Sequence, residues 1–219
     1  MRLLRLHIAL LCLFSAVCAI AQPRLEKPEF YLGFHGGVTA SMVMFSPTVS
    51  QSVGKCLLAP NAGVFFRYYG HKYCAFQMEL DYQQRGWHEK NTSYSRRLDY
   101  LELPILFHLY VGKKGAYWFF NVGPQIGYCI KDHKGDIPES VVIEDDEMMQ
   151  YGKIDRPFDW GVTAGTGVEY MSKKAGTYFL EIRFAYSLGS IYSDRKTDYF
   201  GNSNPMTLSL NLGWAWKVK

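Results

Sequence analysis

The sequence predicts an all-β protein: a closed, antiparallel, up-and-down transmembrane β-barrel of about eight strands. Three observations predict it. Apolar and polar residues alternate along eight segments, the apolar faces carry aromatic residues at their ends, and short connections alternate with long ones. The composition agrees, because 14 Phe, 16 Tyr and 20 Gly favour strands and turns over helices. The formal charge of +4, without a dense basic run, gives no reason to expect a nucleic acid partner.

The first 21 residues have the pattern of a secretory signal peptide, which leaves residues 22–219 as one outer-membrane β-barrel domain. Arg2 and Arg5 precede an apolar segment at 7–19, and Ala19-Ile20-Ala21 is a small-residue cleavage site. A short buried helix is the alternative. The segment is too short to span a membrane as a helix, and no apolar stretch of 18 residues follows it. A chain of this kind can cross a membrane only as a closed barrel.

Alternation with a period of two residues is the dominant signal. In the segment 76–82 the apolar residues Phe76, Met78, Leu80 and Tyr82 fall on one face and the polar residues fall on the other. The same period predicts seven further strands at 30–39, 61–69, 99–109, 117–128, 158–170, 178–187 and 206–216.

The two faces of these strands point to a membrane barrel. The apolar faces begin or end in Tyr, Trp or Phe, as in a lipid-facing band with aromatic girdles. An exported β-sandwich or a lipocalin-like barrel is the soluble alternative. The lumen of an eight-stranded barrel is only wide enough for its own side chains, so charges on the polar faces must pair there. We therefore predict a lumen-facing charged network of Arg67, Glu79, Asp81, Glu102, Glu169, Glu181 and Arg183.

The connections alternate strictly in length. Short turns are expected at 70–72, 112–115 and 172–176, and long loops at roughly 40–60, 84–98, 129–157 and 188–205. This alternation is typical of barrels with periplasmic turns and extracellular loops. An even number of strands then places both termini in the periplasm.

Three cysteines remain after the signal peptide, and their spacing fits no zinc site. We expect Cys56 in the first long loop, Cys129 at the start of the third, and Cys74 at the opposite end of the barrel. If any disulfide forms, it is Cys56–Cys129; three free thiols are the alternative.

Motifs for catalysis, metal binding or cofactor binding are not found. Gly161, Gly165 and Gly167 share one strand face without a following helix, so they predict room for large lumenal neighbours rather than a phosphate loop. His88 lies near Ser93 and Ser95, as a lipid-modifying hydrolase would need, but no carboxylate partner can be assigned. We predict no catalytic residue, metal or cofactor, and the sequence identifies no ligand-binding residue.

Residues 98–130 resemble the PorT-like outer-membrane barrel family. The resemblance rests on Tyr100–Ile105, Val122-Gly123-Pro124 and the segments 30–41, 158–170 and 180–192. It implies an eight-stranded barrel of the OmpA/OmpX size class, and its motifs are specific to the barrel type rather than to an activity. We expect a monomeric barrel in the bacterial outer membrane, in contact with outer-membrane lipid. We predict a structural or interaction role with a protein partner in a secretion or envelope complex, since some members of the family are linked to type IX protein secretion. A lipid A acylase or deacylase and a narrow channel remain alternatives.

Overall fold

The computed structural model describes residues 28–46, 55–88, 95–135, 154, 156–172, 175–192 and 202–218. Residues 1–21, the expected signal peptide, lie outside this part of the chain. Within it, no helix is long and apolar enough to cross a membrane. The described residues form eight strands: β1 (Glu29–Ser46), β2 (Lys55–Tyr69), β3 (Cys74–His88), β4 (Ser95–Lys113), β5 (Ala116–Lys134), β6 (Phe158–Ser172), β7 (Gly176–Ser187) and β8 (Asn202–Lys217).

The strands form one closed barrel in chain order. Every neighbouring pair is antiparallel, and β1 closes the barrel by pairing with β8 from Tyr31↔Lys217 to Ser46↔Asn202. Closure leaves no strand edge with unpaired backbone groups. The pairing shifts register between Cys56 and Asn61 on β2, and between Asp99 and Tyr100 on β4. The predicted all-β, closed, antiparallel fold is confirmed.

The strands are longer than the alternation predicted, so the expected bounds of the long loops are wrong. β3 runs to His88 and β4 begins at Ser95, so most of the predicted loop at 84–98 is strand. The loops at 40–60 and 129–157 are shortened at their strand ends, and β8 already begins at Asn202. The physical reason is that the alternation depends on the apolar outer face and ends where that face ends. Backbone pairing such as Arg96↔Lys134 continues beyond that point, because polar side chains do not interrupt a ladder.

The connection between β4 and β5 is a two-residue hairpin turn. Lys114 and Gly115 have φ angles of 57° and 92°, both in the left-handed region. This is the backbone of a type I′ turn, whose twist matches that of the two strands it joins. We call the end of the barrel that carries this turn the short-turn end, and the opposite end the long-loop end.

The two faces of the strands lie as predicted. On β8 the side chains of Leu208, Leu210 and Leu212 point out of the barrel and are exposed, whereas Ser209 and Asn211 point inward and are buried. Because a one-residue shift would reverse every side chain, this agreement fixes which face is the lumen.

Candidate functional site in the barrel interior

An aromatic layer fills the lumen at the short-turn end. Its buried members come from seven of the eight strands: Tyr31, Phe65, Tyr69, Ala75, Tyr110, Phe119, Phe179 and Ala215. Edge-to-face contacts join the rings, including Phe65–Phe179 at 5.6 Å and Tyr69–Tyr110 at 5.1 Å between centroids. We call this set the aromatic plug, because it leaves the short-turn end of the lumen closed by packed rings.

Glycines on neighbouring strands make room for the three phenylalanines of the aromatic plug. Gly33 pairs with Phe65, Gly167 with Phe119 and Gly213 with Phe179. A Cβ atom on Gly167 would lie 2.7 Å from the Phe119 ring, and Cβ atoms on the other two glycines would also meet rings. The expectation that lumen-facing glycines leave room for large neighbours is confirmed at Gly167 and at Gly165, which makes room for the Glu181 carboxylate, whereas a Cβ atom on Gly161 would meet the backbone of β7.

Above the aromatic plug, Arg183 on β7 is the centre of a buried charge cluster. Its guanidinium donates to Glu79 at 2.5 and 2.8 Å and to Glu181 at 2.7 Å, and it lies 3.4 Å from Asp81. Glu79 and Asp81 belong to β3, so this contact crosses the lumen. Charge-assisted hydrogen bonds of this kind are about twice as strong as neutral ones.

A second cluster surrounds Arg67 on β2. Arg67 donates to Glu169 at 2.8 Å and to the Tyr69 hydroxyl at 2.9 Å. His108 lies beside the same carboxylate, at 3.8 Å, and hydrogen bonds to Asn121 at 2.7 Å. Asn121 in turn donates to Glu181 at 2.7 Å, which joins this cluster to that of Arg183.

A third cluster lies nearer the long-loop end, around Arg85 on β3. Arg85 contacts Glu102 at 2.5 Å and donates to Asp159 at 2.7 Å and to Ser187 at 3.0 Å. The guanidinium carbon lies 4.9 Å from the centre of the Tyr100 ring. We call the three clusters together the charged belt.

All seven residues predicted for the lumenal network lie in the charged belt, and each is at most 7% exposed. The prediction missed Arg85, Asp159 and His108 of this belt, and it also missed His35, which contacts two of the belt's carboxylates. Arg85 falls within the predicted loop at 84–98, although it continues the inward series Gln77, Glu79, Asp81 and Gln83 at every second position. Following the alternation past the last apolar residue would have found it.

His35 on β1 contacts two carboxylates of the belt at once. Its Nε2 atom lies 3.1 Å from Asp81 Oδ1 and 3.4 Å from Glu79 Oε2. A cavity of about 20 Å³ adjoins this contact and has an entirely buried, mainly polar lining that includes Asn61 and Asn211. The amide Oδ1 atoms of both asparagines are buried without a hydrogen bond partner among the described residues. A cavity of this size can hold about one water molecule.

The long-loop end of the lumen is covered by a second apolar set, which we call the loop-end cluster. It consists of Val43, Trp87, Leu98, Tyr100, Ile191 and Tyr192. Arg96 lies beside it and forms a bidentate pair with Asp132, at 2.9 and 2.6 Å. The lumen is therefore packed with apolar side chains at both ends, and charged side chains form ion pairs between them.

The cysteines differ from the sequence prediction. We expected Cys56 in the first long loop and Cys129 at the start of the third, but Cys56 lies on β2 and Cys129 lies on β5. All three cysteines are free. Of the two alternatives, the structure has three free thiols rather than a Cys56–Cys129 disulfide, because Cys56 is exposed on the outer face while Cys129 packs beside the loop-end cluster, with β3 and β4 between their strands.

The positions considered for hydrolase chemistry are only partly brought together. His88 and Ser95 pair across β3 and β4, and Ser93 lies outside the described residues. Among the residues that the structure describes, no carboxylate hydrogen bonds to His88.

Comparisons with known proteins agree with this architecture. The crystal structure of the outer membrane protein OprG from Pseudomonas aeruginosa matches with a TM-score of 0.55 and 9% identity, over 87% of this chain and 97% of that chain. Ail, the attachment invasion locus protein of Yersinia pestis, matches with a TM-score of 0.45 and 11% identity, over 86% of this chain and 99% of that chain. Outer Membrane Protein W of E. coli matches with a TM-score of 0.45 and 13% identity, over 88% of this chain and 100% of that chain.

At 9% identity, the likeness to OprG is one of fold alone. No curated protein matches the chain in sequence. The family model described as "Outer membrane protein beta-barrel domain" matches residues 20–193, which is most of the chain. The chain therefore belongs to the outer membrane protein β-barrel domain family.

Proposed function

We propose that this outer-membrane barrel is a structural and interaction protein, which holds its long connections in place for a protein partner of the cell envelope and does not conduct solutes. The observation that carries the proposal is the filled lumen. The aromatic plug, the charged belt and the loop-end cluster follow one another along the barrel axis, and the cavity described above holds only about one water molecule.

The charged belt argues against a channel of the kind that conducts ions. Each of Arg67, Arg85 and Arg183 is held by at least one carboxylate inside the lumen. A permeating ion would have to separate these pairs, and breaking a buried ion pair costs about 3–5 kcal/mol. The packed interior is therefore suited to a rigid scaffold.

Contact with lipid is supported by the outer face. Trp118, Tyr170 and Tyr178 are exposed near the short-turn end, and Lys113 is exposed in the same region. Amphipathic rings beside lysines are typical of the boundary between the hydrocarbon and the lipid headgroups. This arrangement anchors the barrel and leaves the long-loop end free for another molecule.

The partner that we propose is a protein with a basic surface. The connection between β5 and β6 is the longest in the chain and contains the run Glu144-Asp145-Asp146-Glu147. Acidic residues in a connection favour encounter with a positively charged surface. The resemblance to PorT-like barrels supports placing that partner in a secretion or envelope complex, with the barrel termini in the periplasm.

Cross-linking in intact cells, followed by purification in mild detergent, tests this function. A variant with Glu144→Gln, Asp145→Asn, Asp146→Asn and Glu147→Gln should lose a cross-linked protein that the wild type retains. The matched control, Lys72→Gln with Lys113→Gln, removes charge at the opposite end and should retain it.

Two results would contradict the proposal. Ion conductance of the purified barrel above that of an empty planar bilayer would indicate a channel. A lipid A profile that depends on the wild-type gene and is not restored by His88→Ala would indicate a lipid-modifying enzyme.

A further inference from the structure

The barrel interior carries more negative than positive charge. Among the described residues, the buried cationic side chains are four arginines: Arg67, Arg85, Arg96 and Arg183. The buried carboxylates are seven: Glu79, Asp81, Asp99, Glu102, Asp159, Glu169 and Glu181. Four against seven leaves three negative charges in excess when the histidines are neutral. Because unpaired buried charge is costly, such an interior must take up protons or a cation.

The excess is concentrated where His35 meets the charged belt. The metal-ligating atoms of His35, Glu79 and Asp81 all lie within 4.8 Å of one another, and all three side chains are buried. The Nε2 atom of His35 lies 3.1 Å and 3.4 Å from the nearest oxygens of the two carboxylates. Ligands placed tetrahedrally about 2.0–2.1 Å from a zinc ion are about 3.3–3.4 Å apart. The spacing of the imidazole from both carboxylates is therefore close to that of a metal site.

A fourth ligand position is available next to His35 and Asp81. The cavity of about 20 Å³ is bordered by His35 and Asp81, and it has room for about one water molecule. The unpartnered Oδ1 atoms of Asn61 and Asn211 belong to the lining of the same cavity. Both are acceptors, so each can receive a hydrogen bond from a water that a metal holds there.

We propose that His35, Glu79 and Asp81 bind one divalent transition-metal ion of the zinc type inside the barrel, with a water molecule in the adjoining cavity as the fourth ligand. Arg183 contacts both carboxylates and also Glu181. Together Arg183 and a dication supply three positive charges against the three carboxylates. The ion balances this part of the belt and joins β1 to β3 through the lumen.

The ligand set selects the kind of ion. Imidazole with two carboxylates suits zinc, manganese and similar metals, whereas calcium prefers six to eight oxygen ligands. Sequence spacing does not predict the site, because His35 and Asp81 are 46 positions apart and meet only when the barrel forms. Both ends of the lumen are packed, so the ion enters while the protein folds.

The test is metal retention after refolding. Tag-free protein is refolded into detergent with Zn²⁺, treated with a chelator once folded, and measured for zinc by mass spectrometry. Wild type should retain about one zinc ion per barrel, and His35→Asn should retain less than about a tenth of that amount. His108→Asn is the matched control, because it removes another fully buried lumenal histidine outside the three ligands, and it should retain zinc as the wild type does.

Further measurements separate a loss of metal binding from a failure to fold and test the kind of metal that is bound. Gel mobility before and after boiling shows whether each variant is folded, and Asp81→Asn replaces His35→Asn if the latter does not fold. Co²⁺ bound in place of Zn²⁺ should give the visible absorption of a tetrahedral site, and Ca²⁺ should not be retained. Wild type that folds without retaining zinc would overturn the proposal, as would equal retention by folded wild type and folded His35→Asn or Asp81→Asn.

Discussion

The two faces of each strand obey different rules, as β8 illustrates. Its outward leucines, such as Leu210, are exposed and need only to be apolar where they meet lipid. Its inward Ser209 hydrogen bonds to Thr39 on β1 at 3.0 Å, and the next inward position, Asn211, is 2% exposed. The outer face therefore requires only apolar residues, whereas each position on the inner face depends on its specific contacts with other side chains. A substitution on the outer face should change the free energy of unfolding little unless it adds a charge. On the inner face, the loss of stability should depend on the contacts that the substitution removes.

The largest effect is expected from removing the centre of the charged belt. Arg183→Met leaves Glu79 and Glu181 without their cation, and breaking a buried pair in this way costs about 3–5 kcal/mol in the free energy of unfolding. Urea unfolding in lipid vesicles measures the loss. Arg97→Met is the control, because Arg97 is exposed and its replacement should change stability by about 0.5 kcal/mol or less. Equal losses of unfolding free energy in the two variants would show that the inner and outer faces do not differ in this way.

A charge on the outer face comes next. Leu210→Arg should cost about 2–4 kcal/mol if this side chain faces the middle of the membrane. Leu210→Ile keeps the face apolar and should cost less than about 1.5 kcal/mol. The same unfolding measurement compares them. A harmless Leu210→Arg would mean that this face does not contact lipid.

A smaller loss of stability is expected when a glycine beside a ring of the aromatic plug is replaced by a larger residue. Gly33→Val places a side chain against the Phe65 ring and should cost about 1–3 kcal/mol through overpacking. Gly36→Val is the control on the same strand, because a Cβ atom there meets nothing closer than a backbone oxygen at 3.5 Å. If both variants unfold alike, the plug is not packed as described.

The smallest change in stability is expected for the cysteines, and labelling them tests directly which end of the barrel faces outward. Cys56 is exposed toward the long-loop end and Cys74 begins β3 at the short-turn end. In single-cysteine variants, a membrane-impermeant maleimide added to intact cells should label Cys56 well before Cys74. Stability should not change, because no disulfide is lost. Rapid labelling of Cys74 alone would reverse the proposed orientation.

Much of this architecture could be predicted from the sequence, because alternation is a local property. Leu80 and Asp81 are neighbours in the chain and point to opposite sides of the sheet, so eight alternating segments were enough to assign both faces. Strand ends were predicted less well. The apolar signal fades near Gln83, whereas β3 continues to His88 by backbone pairing that any side chain permits.

Alternation alone assigns Arg183, Glu79 and Glu181 to the lumen, since each occupies the polar side of an alternating segment. That the three side chains contact one another depends on the closed barrel. Arg183 and Glu79 are 104 positions apart, on β7 and β3, and no local pattern pairs them. Closure of the barrel brings these opposite walls within hydrogen-bonding distance, because eight strands enclose a lumen no wider than the side chains that fill it.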